Sequence, residues 1–82
     1  MITPQIRERV RREYPAAPDH AAALELIERI GAELSVWRQV SESDRVEAAA
    51  LTLAAGDLGK LGEAVGLALR DWRDLLMAAE YL

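Results

Sequence analysis

The chain has 82 residues, with 10 basic and 14 acidic side chains and a formal net charge of −4, which suits one small domain and argues against a nucleic-acid binder. It has no cysteine, so disulfides, cysteine-ligated metal centres and thiol nucleophiles are excluded, and a reducing compartment is the expected setting. No apolar run approaches the roughly 20 residues that span a bilayer and no signal-peptide pattern opens the chain, so we expect a cytoplasmic protein without membrane contact.

The first predicted helix covers residues 4–14. Thr3 is placed to cap its N-terminus, and Pro4 occupies the first helical position, where a missing N–H costs nothing. A narrow apolar stripe follows the helical period and consists of Ile2, Ile6, Val10 and Tyr14. Pro15 ends this helix, and residues 15–18 are predicted to form an extended connector.

Two further helices are predicted over residues 19–40 and 44–55. No proline follows Pro18, which permits long helices, and alanine and leucine favour them. The apolar side of the second helix consists of Ala23, Ile27, Ile30, Leu34 and Trp37. Gly56 is placed to end the third helix and Asp57 to cap a fourth, so we expect a break at Gly56; one continuous helix with a kink there is the alternative.

The fourth predicted helix, over residues 58–80, has the clearest amphipathic pattern. One arc of its helical wheel holds Leu58, Leu61, Val65, Leu69, Trp72, Leu76 and Ala79. No apolar–polar alternation typical of strands occurs in the chain. The sequence therefore predicts an all-α single domain over residues 1–82, a small bundle of a short N-terminal helix and three more, dominated by two long antiparallel helices.

Two short C-terminal stretches, Gly56-Asp57-Leu58 and Asp71-Trp72-Arg73-Asp74-Leu75, resemble those of a group of small uncharacterised bacterial helical proteins. This resemblance covers only the C-terminal part of the chain. It implies an all-helical fold with a long final helix, and it implies no activity.

Three glycines, Gly59, Gly62 and Gly66, share one edge of the apolar arc of the fourth helix. Glycine inside a helix costs up to about 1 kcal/mol relative to alanine, but it lets another backbone approach closely. The stripe predicts tight packing within the bundle. A groove for a partner helix, or a loop that delays the start of the fourth helix, are the alternatives.

Several large apolar residues lie outside the main arcs of the two long helices: Leu24, Val36, Leu67 and Met77. Two long helices in so small a chain predict an elongated hairpin that one thin core leaves partly uncovered. We therefore expect a second buried surface, with self-association, most simply a dimer, or a protein partner to cover it.

Charged residues give one candidate polar site. Glu33 falls inside the apolar arc of the second helix, where a carboxylate needs a partner, and Arg38, Arg70 and Arg73 are the candidate partners. Arg70 is also spaced to pair with Asp74 along the fourth helix. The arginines of the first helix, Arg7, Arg9, Arg11 and Arg12, are interpreted as solubilising or as partners of the acidic remainder.

Patterns that would indicate catalysis, a metal or a cofactor are missing from the sequence. His20 stands without a nucleophile or an orienting acid, and Glu25 with Glu28 lacks the histidines of a di-metal bundle. The glycines around Lys60 do not have the Walker spacing. We therefore expect no catalytic, metal-binding or cofactor-binding residue, and no enzyme.

The sequence leaves the function open among three possibilities. The leading interpretation is a non-enzymatic helical interaction module that acts through homo-oligomerisation or partner-helix binding. One alternative is a helix-turn-helix DNA-binding regulator with its turn at Gly66, although Asp71 and Asp74 alternate with the arginines that would meet phosphates. The other is a small-ligand-binding bundle, with Trp37 and Trp72 at the pocket; a tryptophan pair in the core is the simpler interpretation.

Overall fold

The computed structural model describes residues 2–36 and 43–80. Within these ranges the chain forms four helices and no strand: α1 (Pro4–Glu13), α2 (Ala17–Val36), α3 (Ser43–Ala54) and α4 (Leu58–Glu80). The all-α prediction is confirmed, and α2 and α4 are the two longest helices. No helix in the described ranges is long and apolar enough to cross a bilayer.

Helix α1 begins and packs as its sequence predicts. The Ile6 N–H donates to Thr3 Oγ1 at 3.2 Å, which caps the helix, and Pro4 is its first residue. All four members of the predicted apolar stripe are buried: Ile2, Ile6, Val10 and Tyr14. One narrow stripe is therefore enough to hold this short helix on the bundle.

Helix α2 starts earlier than predicted, at Ala17. The prediction of an extended connector through Pro18 is wrong. Backbone N–H groups in the first turn of a helix have no acceptor within the helix, so a proline there removes no hydrogen bond and the helix can include it. The His20 N–H already donates to the Ala16 carbonyl at 2.8 Å. The predicted continuation of this helix to residue 40, including Trp37, lies outside the described residues.

The turn between α3 and α4 confirms the break predicted at Gly56. Ala55 and Gly56 have positive φ angles of 49° and 83°, the left-handed conformation that ends a helix. Asp57 then caps α4, since its Oδ1 accepts the Lys60 N–H at 2.9 Å. Helix α4 begins at Leu58, so the loop interpretation of its glycines is excluded.

Helices α3 and α4 form the most extensive helix pair, and they run antiparallel. The turn joins one end of the pair, and an ion pair between Arg45 and Glu80 joins the other. Small side chains dominate the core around them: Ala49, Ala50 and Ala54 of α3, and Ala64 and Ala68 of α4, are buried. Alanine therefore brings the helices of this small chain close together.

The buried face of α4 is rotated relative to the predicted arc. Its buried residues are Leu61, Ala64, Val65, Ala68, Leu75 and Leu76. Leu69, predicted to be in the core, is 41% exposed. The predicted arc follows the large apolar side chains of α4. The observed burial instead follows Ala64 and Ala68, because their small side chains permit the closest approach to α3.

Helix α4 is kinked at Asp71, which has non-helical angles (φ −156°, ψ 91°). Asp71 Oδ1 accepts the backbone N–H groups of Arg73 and Asp74 at 3.1 and 3.4 Å. Asp71 therefore caps a second helical segment that begins at Trp72. The chain remains helical at Gly66, so the turn required by the helix-turn-helix interpretation is not there.

The kink also separates Arg70 from Asp74. In the described part of the chain these two residues form no ion pair, so the predicted pairing along the helix is wrong. The i,i+4 contact needs a regular helix between its two members, and Asp71 interrupts it.

The bundle is rounder than the elongated hairpin predicted from two long helices. Its Cα radius of gyration is 11.4 Å, against about 12 Å expected for a globular chain of this length. Helix α3 packs against both α2 and α4, and α1 packs against α2 and α3, so four helices share one core where a hairpin would have two.

Candidate interaction surface

An open groove of about 770 Å³ lies between the outer sides of α3 and α4. We call it the α3–α4 groove; its lining residues are Leu53, Lys60, Glu63, Ala64, Gly66, Leu67 and Arg70. Two residues of this set, Gly66 and Leu67, are candidate interface residues from the sequence, and Arg70 belongs to the candidate polar site. The fold therefore places residues of the candidate interface and a residue of the candidate polar site on one surface.

The groove has an apolar floor and a charged rim. Leu53 and Leu67 are half-buried against the core, and Ala64 is buried. Lys60, Glu63 and Arg70 are exposed. Such a combination can take up apolar side chains of a partner and orient them through charge.

Two glycines of α4, Gly62 and Gly66, have no packing role among the described residues. A Cβ atom built on either would meet nothing within 4 Å there, so tight packing against the described part of the bundle, as predicted, does not occur at these two positions. At Gly59 the nearest atom is Asp57 Oδ1 at 3.2 Å, the side chain that caps the same helix. The described part of the chain therefore leaves the space over Gly62 and Gly66 open.

The other candidate interface residues divide into two groups. Leu24 and Leu67 are half-buried and pack against the single core, so they need no second surface of their own. Met77 is 56% exposed, and with Leu69 it forms the exposed large apolar surface of the described residues, all of it on α4. The Val36 side chain lies outside the part of the chain that is described.

The candidate polar site does not assemble around Glu33. Glu33 is exposed, at the outer surface of α2, where a carboxylate needs no partner. Arg70 and Arg73 are also exposed, and within residues 2–36 and 43–80 neither pairs with Glu33. Arg73 lies 5.4 Å from the ring centre of Trp72, and Arg38 falls outside those ranges.

A second groove, of about 660 Å³, lies between α2 and the start of α4. Its lining residues are Ala22, Glu25, Leu26, Glu28, Arg29, Ala32 and Leu58. Glu25 and Glu28 are exposed there, as expected for a solvated face. Among the described residues, no three or more acidic or histidine side chains are grouped as a metal ion requires.

A polar junction between α1 and α3 is a feature that the sequence reasoning missed. Arg9 donates to Glu13 Oε2 at 2.7 Å, to the Ala48 carbonyl at 3.2 Å and to Thr52 Oγ1 at 3.0 Å. The i,i+4 spacing of Arg9 and Glu13 is the sequence signal that could have indicated this ion pair. This junction positions α1 and leaves the outer side of α3, beside Leu53, free for the groove.

Tyr14 extends this junction to the turn before α4. Its hydroxyl donates to the Asp57 carbonyl oxygen at 3.4 Å. Burial raises the pKa of the Tyr14 phenol, with a further increase from the Glu13 and Asp57 carboxylates and a smaller opposing effect of Arg9. Tyr14 therefore remains protonated at neutral pH and keeps its hydrogen bond.

Glu47 is a second feature that sequence reasoning missed. This residue of α3 is completely buried, and so are Val46 and Leu51 of the same helix. Helix α3 is thus covered on more of its circumference than the face that carries its buried residues Val46, Ala49 and Ala50. The position of α3 at the centre of the bundle, which periodicity alone does not show, accounts for this.

Comparison of the chain with protein-family models, with curated proteins and with solved structures gives no match. The resemblance to small bacterial helical proteins therefore stays a prediction. The surface itself is the basis for a functional assignment.

Proposed function

We propose that the chain is a non-enzymatic helical interaction module of the cytoplasm that binds a helix, from a protein partner or from another copy, in the α3–α4 groove. The observation that supports this function most directly is the open space over Gly66, a glycine that lines the groove. Glycine in a helix costs about 1 kcal/mol relative to alanine, and no described part of this chain uses the space that Gly66 leaves. A docked helix would use it.

The shape and chemistry of the groove favour a helix as the bound element. A cleft between two helices accepts a row of side chains from a third, in the way that helices pack within bundles. Leu53 and Leu67 supply apolar contact, and the missing side chain at Gly66 allows a close approach of backbones. The rim charges Lys60, Glu63 and Arg70 would select the partner and its direction.

The same features argue against a catalytic or small-ligand role for this groove. It is open along its length, whereas small-molecule sites bury most of the ligand surface. Its titratable groups are one carboxylate and two cations on the rim, all of them exposed.

Site-specific photo-crosslinking in cells that produce the chain tests this function. A photoreactive phenylalanine analogue replaces Lys60 at the groove rim, and in a matched control it replaces the exposed Glu28 at the second groove, between α2 and the start of α4. We expect a protein adduct from position 60 only. Adding Gly66→Leu to the position-60 variant should abolish the adduct while the fold is retained, because nothing in the described chain contacts Gly66.

Three results would contradict the proposal. The first is no adduct from position 60, and the second is an equal adduct from position 28. The third is an adduct that persists when Gly66→Leu fills the groove. Circular dichroism and thermal unfolding of each purified variant confirm that the substitution leaves the bundle folded.

A further inference from the structure

We propose that the helix bound in the α3–α4 groove is α4 of a second copy of this chain. The two α4 helices cross antiparallel about a two-fold axis beside Gly66, and Glu63 of each copy pairs with Arg70 of the other. This inference rests on the proposed function, because it requires that the groove binds a helix. It specifies the partner, the direction and the register.

The spacing of Glu63 and Arg70 provides the first argument. Both side chains are exposed at the rim of the same groove, and they are seven residues apart, two helical turns or about 10 Å along the axis. In an antiparallel pair related by a two-fold axis, a residue before the crossing point meets the residue equally far beyond it. With the crossing between Gly66 and Leu67, both Glu63–Arg70 pairs form at once.

The distribution of charge along the chain provides the second argument. Helix α4 carries three cations and four carboxylates, so two copies meet there with nearly balanced charge. Helix α2 carries four carboxylates and one arginine, so two copies that met along it would repel each other. Charge therefore favours α4 over α2 as the surface of self-contact.

The exposed apolar residues provide the third argument. Leu69 and Met77 are the exposed large apolar side chains of the described residues, and both lie on α4. They place exposed apolar surface on the helix that also lines most of the groove. Gly66 is exposed and has no side chain, so it lets the backbone of a second copy approach closely at the crossing point.

Charge reversal with restoration tests the pairing. The variants are Glu63→Arg, Arg70→Glu and the double variant, and sedimentation equilibrium over a range of concentrations measures dimer dissociation. Each single reversal opposes like charges at both symmetric pairs, so we expect the dimer to be weaker by about tenfold or more. In the double variant the two charges are swapped, so opposite charges face each other again at both pairs. Its dimer should therefore return close to the affinity of the unmodified chain.

Glu28→Arg is the matched control, because it makes the same charge change at the second groove, between α2 and the start of α4. We expect that variant to dimerise at least as well as the unmodified chain. A dimer that is insensitive to both single reversals, or that the double variant does not restore, overturns the proposed register. Thermal unfolding identifies any variant that has lost its fold.

The inference and the proposed function fail in different ways. A chain that stays monomeric at every concentration overturns the inference. If the position-60 crosslink then contains another protein and depends on Gly66, the proposed function stands without it. If the crosslink has twice the mass of the chain, the partner is a second copy, and the charge-reversal series decides the register.

Discussion

Arg9 reaches from α1 to α3, where its Nη2 donates to Thr52 Oγ1 at 3.0 Å. Thr52 in turn donates to the Ala48 carbonyl at 3.0 Å, the same oxygen that accepts from Arg9 Nη1. This arrangement fixes the orientation of a short helix whose apolar stripe is only one residue wide. Glu13 accepts from the Arg9 Nε on the other side, so the guanidinium is held in place with its two Nη groups directed at α3.

Replacing Arg9 should loosen α1. Arg9→Met keeps most of the aliphatic stem but removes all three hydrogen bonds, and we expect the free energy of unfolding to fall by about 1–2 kcal/mol. Urea denaturation followed by circular dichroism measures the change. Thr52→Val should cost less, because it removes one of the three contacts.

Arg7→Met is the control for Arg9. Arg7 is exposed on the same helix and loses the same charge, so its substitution should change the free energy of unfolding by less than about 0.5 kcal/mol. An equal loss for Arg7→Met and Arg9→Met would show that net charge, and not the junction with α3, is responsible.

Tyr14 should make the stability of the fold depend on pH in the alkaline range. Its folded-state pKa lies above the ordinary value of 10.0, so the folded protein holds the phenolic proton more tightly than the unfolded chain. The stabilisation is complete below pH 10.0 and is lost as the pH rises from there through the folded-state pKa. Thermal unfolding at a series of alkaline pH values should therefore show a falling midpoint.

Tyr14→Phe isolates this contribution. The variant lacks the titrating group, so its stability should decline less steeply over the same pH range than that of the unmodified chain. Spectrophotometric titration at the tyrosinate absorption band gives the folded-state pKa directly. Parallel pH profiles for the two proteins would rule out the assignment to Tyr14.

Local signals in the sequence predict much of this fold because they act over short distances. Thr3 with Pro4, and Gly56 with Asp57, set the ends of helices through hydrogen bonds within a few residues, and the structure confirms them. The apolar stripe of α1 is likewise local. These features depend on interactions between residues that are close together in the sequence, so the sequence alone is enough to predict them.

The parts that sequence reasoning missed depend on how helices meet. Leu69 is exposed because alanines, and not the largest side chains, decide which side of α4 approaches α3. Glu33 lies in an apolar arc but at the outer surface of α2. Periodicity gives the relative angles of residues on one helix, but it does not give the direction of the neighbouring helix.

The candidate site could be predicted in the same partial way. The glycine pattern indicates α4, and three of the residues predicted from the sequence, Gly66, Leu67 and Arg70, line one groove. The pattern could not show that α3 leaves the outer side of that helix uncovered. Leu53, Lys60 and Glu63 become part of the site only because α3 packs against α4 and forms the groove.

Asp71 should be needed for the geometry of the final helical segment. Asp71→Ala removes the acceptor for the Arg73 and Asp74 N–H groups, and loss of an N-cap typically costs about 1 kcal/mol of stability. Asp71→Ser keeps a capping oxygen and should cost clearly less. Chemical denaturation compares the three proteins. A gain in stability from alanine would indicate that this part of α4 prefers to be one continuous helix.

Gly62 should be replaceable with a gain in stability of the single chain. Gly62→Ala improves helix propensity by up to about 1 kcal/mol, and its new methyl group meets nothing within 4 Å, so we expect a higher unfolding midpoint at low protein concentration. Gly56→Ala, where φ is +83°, should lower the midpoint, because an L-residue is strained in that conformation. A loss of stability for Gly62→Ala would mean that another part of the chain packs over Gly62, and the glycine would then serve the fold of the single chain.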